Sequence, residues 1–175
     1  EHMNAGTSRN AGSDKQTYYK LTLAGDEPDS VYEMAKTFFD GLCVDGDNAL
    51  VEAAMSAQCF LRLVELGVPF PRNRYGEYVG YKTDHDPRRR ATSCGPYTSK
   101  IMTECLEKSV REKNIPVWEN LLVVKLLVEN DEIHGLICLD MSKPQDTDNR
   151  FVLFRCRNVV YATGGPAGIY ENSAY

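Results

Sequence analysis

Apolar residues recur at spacings of three and four from Val31 through Met34 and Phe38 to Leu42. That period predicts an amphipathic helix, entered through Asp26-Glu27-Pro28-Asp29-Ser30. Asp45-Gly46-Asp47-Asn48 breaks it and supplies the cap of the next helix, expected from about Ala49 to Leu66. Leu50, Ala53, Ala54, Phe60, Leu61 and Val64 give that helix a broad apolar face. Gly67 ends it as a C′ glycine, and Pro69 follows where a helix cannot continue. Residues 68–97 are rich in Pro, Gly, Tyr and charge and read as short strands and loops. Thr98 or Ser99 can cap a third helix, with Ile101, Met102, Cys105, Leu106 and Val110 facing inward.

The period changes after Ile115-Pro116. Leu121 to Val128 is apolar and β-branched, and Glu129-Asn130-Asp131-Glu132 reads as a hairpin turn. Gly135 to Met141 and Phe151 to Arg157 alternate as further strands around a polar loop at 142–149. Val159 to Ala162 reads as a short buried strand running into Thr163-Gly164-Gly165-Pro166. Residues 1–20, dominated by Gly, Ser, Asn and Asp, read as loop. Helices followed by an antiparallel meander describe an α+β region, or an α/β domain carrying an inserted meander.

Composition narrows the functional classes. The 175 residues carry a net charge of −5, which gives no electrostatic case for nucleic acid or an anionic membrane surface. No stretch approaches the roughly 20 apolar residues of a membrane span. The six cysteines form no C-x-x-C pair, and the three histidines are too scattered for a metal motif. Free thiols in a reducing compartment are the favoured reading, which places the protein in the cytoplasm. Arg88, Arg89 and Arg90 follow Asp84, His85 and Asp86 and read as solvated loop charge of mixed sign.

The most informative segment is Asn158-Val159-Val160-Tyr161-Ala162-Thr163-Gly164-Gly165. A strand ending in Thr-Gly-Gly lets backbone approach a ligand closely. Taken alone it reads more often as a generic turn, and no Gly-Lys-Ser/Thr follows to make a P-loop. Its context resembles glutathione reductase-related flavoproteins, where an alternating meander precedes an apolar strand and Ala-Thr-Gly-Gly. Upstream, Leu66-Gly67-Val68-Pro69-Phe70 is similar to the GxPF stretch of succinate dehydrogenase and fumarate reductase flavoproteins. Arg90 with Ser99-Lys100-Ile101-Met102 and Leu106 resembles a helix of that family. Leu126 to Asn130, followed by Gly135-Leu136-Ile137, resembles its hairpin. The resemblance runs from about residue 6 to residue 170.

The resemblance implies the central piece of a Rossmann-like FAD-binding domain: three helices and an inserted three-stranded meander, with the first βαβ unit and the capping domain absent. It implies one partial domain, with a flavin-side loop at 1–20, a helical region at 28–113, the meander at 117–157 and the glycine turn at 158–175. Gly6, Thr7, Ser8, Ala11, Gly12 and Ser13 occupy the place of the loop that wraps the flavin. That loop lacks the family's paired glycines, and it has Arg9-Asn10 and no histidine between Gly6 and Ser13, whereas covalent members carry a flavin-bonded histidine in this loop, so FAD is expected to bind non-covalently. Glu119 and Asn120 fall where backbone meets the adenine edge, with an exposed strand start equally open. Ala162, Thr163 and Gly164 are expected near the ADP half. Glu1 is either the carboxylate that holds ribose hydroxyls or the start of a Glu1-His2-Met3 tag scar.

No G-x-G-x-x-G occurs in the chain, and the family's substrate-binding residues lie beyond the Ala-Thr-Gly-Gly strand. No catalytic residue is therefore assigned. The intact protein is expected to transfer hydride between FAD and a small dicarboxylate such as fumarate or succinate. Aspartate oxidation and ketosteroid dehydrogenation are open alternatives, and the piece itself is expected to be inactive and to bind no FAD. Its apolar surface would then invite self-association. The rival readings are a binding or assembly module derived from the same fold, and an NAD(P)H-dependent flavoprotein with a second glycine fingerprint.

Overall fold

A computed structural model describes residues 2–14, 16–42, 44–83, 85–165 and 171–172. The chain divides into two compact units, one of Thr7–Ile115 and one of Glu1–Gly6 with Pro116–Tyr175.

The first unit is helical. It contains α1 (Thr7–Asn10), β1 (Tyr18–Tyr19), α2 (Val31–Asp40), α3 (Gly46–Glu65), β2 (Ala91–Thr92) and α4 (Thr98–Glu112). Ser30 opens α2 by accepting the Glu33 N–H on its hydroxyl at 3.1 Å, and Asp45 opens α3 by accepting that of Asn48 at 3.0 Å. Met34 and Ala35 of α2 pack on Ala49 and Ala53 of α3. Two alanines four apart present one smooth stripe, so the helices can approach closely.

The apolar face of α3 differs from the expected one. Ala49, Ala53, Ser56, Phe60 and Leu63 are buried, whereas Leu50, Ala54 and Leu61 are exposed. The sequence offers more apolar positions than one face can use, and the partner side chain Met34 selects the stripe with small residues.

Leu42 lies outside α2 and is 74% exposed. Its φ of 63° places it at the left-handed C′ position normally taken by glycine. We expect Leu42→Gly to raise the urea midpoint, by about 1 kcal/mol of stability before the larger unfolded-state entropy of glycine is subtracted. Gly67 fills the same role after α3 as expected. Its φ is 97°, and its N–H donates to the Val64 carbonyl while that of Val68 donates to Leu63.

A second core gathers Phe60, Leu63, Val68 and Phe70, with Tyr18, Tyr78, Ile101, Met102 and Cys105 against it. The Phe60 and Phe70 rings stand 4.7 Å apart, and Tyr78 meets Phe60 edge-on at 5.0 Å. Lys20 is fully buried beside this cluster, its Nζ 5.0 Å from the Phe60 ring centre and without a hydrogen-bond partner among the described residues. Burial lowers its pKa. The folded state thus disfavours the ammonium, and this penalty is fully present below the lowered value and fades as pH rises toward the ordinary lysine range. Lys20→Met is therefore expected to stabilise the protein by about 1–3 kcal/mol at neutral pH. Urea midpoints should converge with wild type as pH approaches the ordinary lysine value.

The expectation of solvated loop charge holds for His85 and Arg89 but not for Arg90. Arg90 is fully buried and forms a two-point ion pair with Asp29, Nη2 to Oδ1 at 2.7 Å and Nε to Oδ2 at 3.0 Å. Its Nη1 also donates to Thr37 Oγ1 at 2.9 Å and to Asp86 at 3.3 Å. Arg88 binds Glu33 at 2.7 Å, while Arg89 and His85 stay exposed. Of that run Asp86 and Arg90 are buried together, and Asp29, far away in the sequence, supplies the main counter-charge.

The second unit is a meander of β3 (Leu121–Glu129), β4 (Glu132–Asp140) and β5 (Phe151–Arg155), antiparallel in that order. Asn130 and Asp131, at φ 50° and 62°, form the tight left-handed turn of the first hairpin. Gly135 pairs with Arg155, and a Cβ on it would meet the Phe154 carbonyl oxygen at 2.2 Å. The three long helices and three-stranded antiparallel meander match the expected α+β character.

The strand expected at Val159–Ala162 is absent, and its residues are not buried. Val160 is 89% and Tyr161 83% exposed, in chain without regular structure or ladder pairing. A strand needs a hydrogen-bonded neighbour, and among the described residues none stands beside it. No helix among the described residues is long and apolar enough to cross a membrane.

Candidate functional site

The residues expected to contact a cofactor divide between the two units. Thr7, Ser8, Ala11, Gly12 and Ser13 lie in the helical unit, and Gly6, Glu119, Asn120, Ala162, Thr163 and Gly164 in the other. Glu1 lies outside the described residues.

In the helical unit the candidate loop is one turn of helix, α1, followed by irregular chain. The Ala11 N–H donates to the Thr7 carbonyl at 2.8 Å, closing the turn. Arg9 holds the turn to α4 by ion pairs to Glu107 at 2.9 Å and Glu104 at 3.7 Å. Hydrogen bonding from Arg111 is the main influence holding the Glu107 carboxyl below its usual range, and the Arg9 charge adds to it. Arg9 is thus tied to α4.

The chain after α1 is pinned from below. The Ser13 N–H donates to the Pro96 carbonyl at 2.9 Å. Gln16 donates its Nε2 to the Ala11 carbonyl at 3.3 Å and accepts the Ser99 N–H on Oε1 at 3.0 Å. Gln16 therefore caps α4 from across the unit, a role the sequence reading gave to Thr98 or Ser99. The Thr98 hydroxyl is occupied elsewhere, accepting the Cys94 N–H at 2.8 Å and donating to the Gly95 carbonyl at 2.7 Å. Tyr97, at the N-cap position, makes no side-chain cap. Its ring lies over Gly12, where a Cβ would meet Cε1 at 2.7 Å. No pattern in the sequence singles out Gln16 or Tyr97. The Gly95-Pro96-Tyr97 turn before a helix is the single signal present.

In the other unit the Glu119 carboxylate accepts the Met3 N–H at 2.8 Å, and His2 Nδ1 lies 3.3 Å from it. Residues 2–3 are thereby folded against the start of the meander. Asn120 adopts φ 59°, and its carbonyl accepts the Met141 N–H at 2.8 Å. Both residues stand just before β3. Trp118 packs edge-on against Phe154, with ring centres 5.2 Å apart. Ala162, Thr163 and Gly164 are exposed, and Gly164 has φ 80° with open space where a Cβ would point.

The donor set fits a dinucleotide cofactor in kind. Gly6 has φ 89° and open space on its Cβ side, the Thr7 and Ser8 side chains are exposed, and Gly12 lets the loop backbone lie directly against the Tyr97 ring. These are small groups that let backbone come close to a planar or phosphorylated ligand. Three clefts lie elsewhere within the units: on α3 around Met55, Cys59 and Arg62, between Tyr18, Met34 and Phe38, and along the hairpin from Lys125 to His134. None includes a residue of the candidate loop. No cluster of three metal-ligating side chains occurs among the described residues, and Cys59, Cys94, Cys105, Cys138 and Cys156 are free thiols.

A family model described as an FAD binding domain matches residues 5–174. Among solved structures, an E. coli quinol fumarate reductase chain superimposes with a TM-score of 0.74 at 20% identity, over 96% of this chain and 27% of its own. Mycobacterium smegmatis Sdh1, in complex with UQ1, gives 0.76 at 18% identity, over 95% of this chain and 29% of its own. The 3-ketosteroid-Δ4-(5α)-dehydrogenase of Rhodococcus jostii RHA1 gives 0.60 at 16% identity, over 87% and 37%. At these identities the likeness is one of fold. A search of curated proteins finds no match. The chain spans less than a third of the fumarate reductase and Sdh1 chains.

Proposed function

We propose, on the premise that this chain belongs to the FAD-binding-domain family, that it supplies part of a non-covalent FAD site in a flavoprotein oxidoreductase acting on a small dicarboxylate. The observation that carries the reading is the family match, which runs from the candidate loop to beyond the Thr-Gly-Gly turn. Its physical support is that loop: small residues with exposed hydroxyls, an obligatory glycine, and a frame that fixes its backbone.

Gly6, Thr7, Ser8, Ala11, Gly12 and Ser13 would hold the flavin side through backbone N–H groups and hydroxyls. Glu119, Asn120 and Ala162 to Gly164 would meet the adenine half. Bound FAD supplies two-electron hydride chemistry at a carbon beside a carboxylate or carbonyl. This chain orients the cofactor. The groups that bind and protonate substrate come from outside residues 1–175, so the chain alone has no turnover. Fumarate and succinate are the leading substrate pair, by likeness to the fumarate reductase. A ketosteroid is the second reading, by likeness to the Rhodococcus enzyme. The exposed Val160 and Tyr161 favour self-association of the isolated chain.

The test uses the full reading frame that encodes this chain. The purified protein is expected to be yellow and to release all its flavin into the supernatant on acid precipitation, because no histidine lies between Gly6 and Ser13. It is expected to oxidise a reduced dye with fumarate as acceptor. Flavin retained in the pellet would contradict the non-covalent site. A colourless protein would favour the assembly-module reading.

A further inference from the structure

The clearest feature that the proposed function leaves unused is Tyr97. Its ring occupies the space over Gly12, with Cε1 2.7 Å and Cδ1 3.0 Å from where a Cβ would stand. The preceding carbonyl, Pro96 O, takes the Ser13 N–H at 2.9 Å. Adjacent residues of one turn therefore hold adjacent residues of the candidate loop, one by packing and one by hydrogen bonding. Despite this contact the Tyr97 residue remains 58% exposed. An aromatic residue that open to water contributes less to a core than a buried one. Lys100, one turn along α4, reaches 5.9 Å from the ring centre and is also exposed.

We propose that Tyr97 is a positioning residue for the flavin-side loop, and that position 12 is glycine so that the ring can lie there. The inference rests on the FAD reading and deepens it. The ring sets the height of the loop backbone at residues 11–13, and hence the reach of its N–H groups toward a bound cofactor. Removing the ring frees that backbone without unfolding the unit, because Gln16, Arg9 and Pro96 O still tether the loop. Adding a Cβ at residue 12 displaces the ring and should act on the loop in the same way.

The experiment compares wild type, Tyr97→Ala, Tyr97→Phe and Gly12→Ala in the full reading frame. Its readouts are FAD affinity, the bound-flavin absorption spectrum, the flavin reduction potential, and amide exchange across residues 7–13. Tyr97→Ala and Gly12→Ala are expected to weaken FAD at least tenfold, to alter the visible bands and potential, and to speed exchange in the loop. Tyr97→Phe keeps the ring and is expected to stay within twofold of wild type. If wild type binds FAD and Tyr97→Ala, still folded, binds it equally with unchanged spectrum, potential and loop exchange, the positioning role is overturned while the FAD reading survives. If wild type binds no FAD, the reading itself fails and the inference falls with it.

Discussion

Exchanging Arg90 for methionine is expected to lower the stability of the helical unit by about 3–5 kcal/mol, the usual cost of leaving buried charge without its partner. The guanidinium side chain is 0% exposed, and the Asp29 and Asp86 side chains are 3% and 5% exposed. The variant keeps most of the side-chain length but strands both carboxylates. Asp29 would retain only the N–H groups of Thr22 and Ser30 and the Thr22 hydroxyl. Arg90→Lys should also lose much of the stability, since one ammonium cannot reproduce the two-point geometry. The double variant Arg90→Met, Asp29→Leu should cost less than the two single changes added together. Urea denaturation followed by circular dichroism reads these variants, the single Asp29→Leu among them, against wild type.

The same pair sets an acid limit. Burial pushes the Asp29 carboxyl up, but the Arg90 hydrogen bonds and charge, with the Thr22 and Ser30 N–H groups, hold it below its usual value. A carboxylate lowered in the folded state contributes stability above the unfolded value of about 3.9, and that contribution disappears as pH falls through the folded value. The gap between wild type and Arg90→Met is thus expected to be widest near neutrality and to narrow in acid. A gap independent of pH would mean that packing around Arg90, not charge, is the main contribution.

Gly135→Ala is expected to cost the meander about 3 kcal/mol, the upper end for forcing an atom into filled space. The added Cβ would stand 2.2 Å from the Phe154 carbonyl oxygen, a backbone atom that cannot rotate aside, and φ is 155°. The strands must separate where Gly135 pairs with Arg155. Amide exchange should therefore accelerate along β4 and β5 while the helical unit keeps its protection. His134→Ala, one residue away and exposed, is the control and should stay within about 0.5 kcal/mol of wild type.

Local signals were legible in the chain and non-local ones were not. The helix entries at Ser30 and Asp45, the glycine at 67 and the Asn130-Asp131 turn are set by chemistry within four residues, and each appears as expected. On α3 periodicity found Ala53, Phe60 and Val64 but also named Leu50, Ala54 and Leu61, which are exposed, because the stripe that packs is fixed by partners such as Met34 in another element. Arg90 looked solvated because its partner Asp29 lies 61 positions away, and Gln16 caps α4 over a gap of 83. The Val159–Ala162 segment shows the opposite error. Its apolar run says that something should cover it, but says nothing of what. The candidate loop was located by resemblance, whereas the frame that shapes it, Gln16, Pro96 and Tyr97, is visible only in the fold.

The central claim is that these residues form part of an FAD site, and an absorption spectrum with an FAD titration tests it most directly. The full reading frame should show the two visible bands of bound oxidised flavin and saturate with one FAD per chain. The 175-residue chain alone should show neither, because it contains no glycine fingerprint for the pyrophosphate. A full-length protein that purifies colourless and fails to take up FAD would contradict the claim.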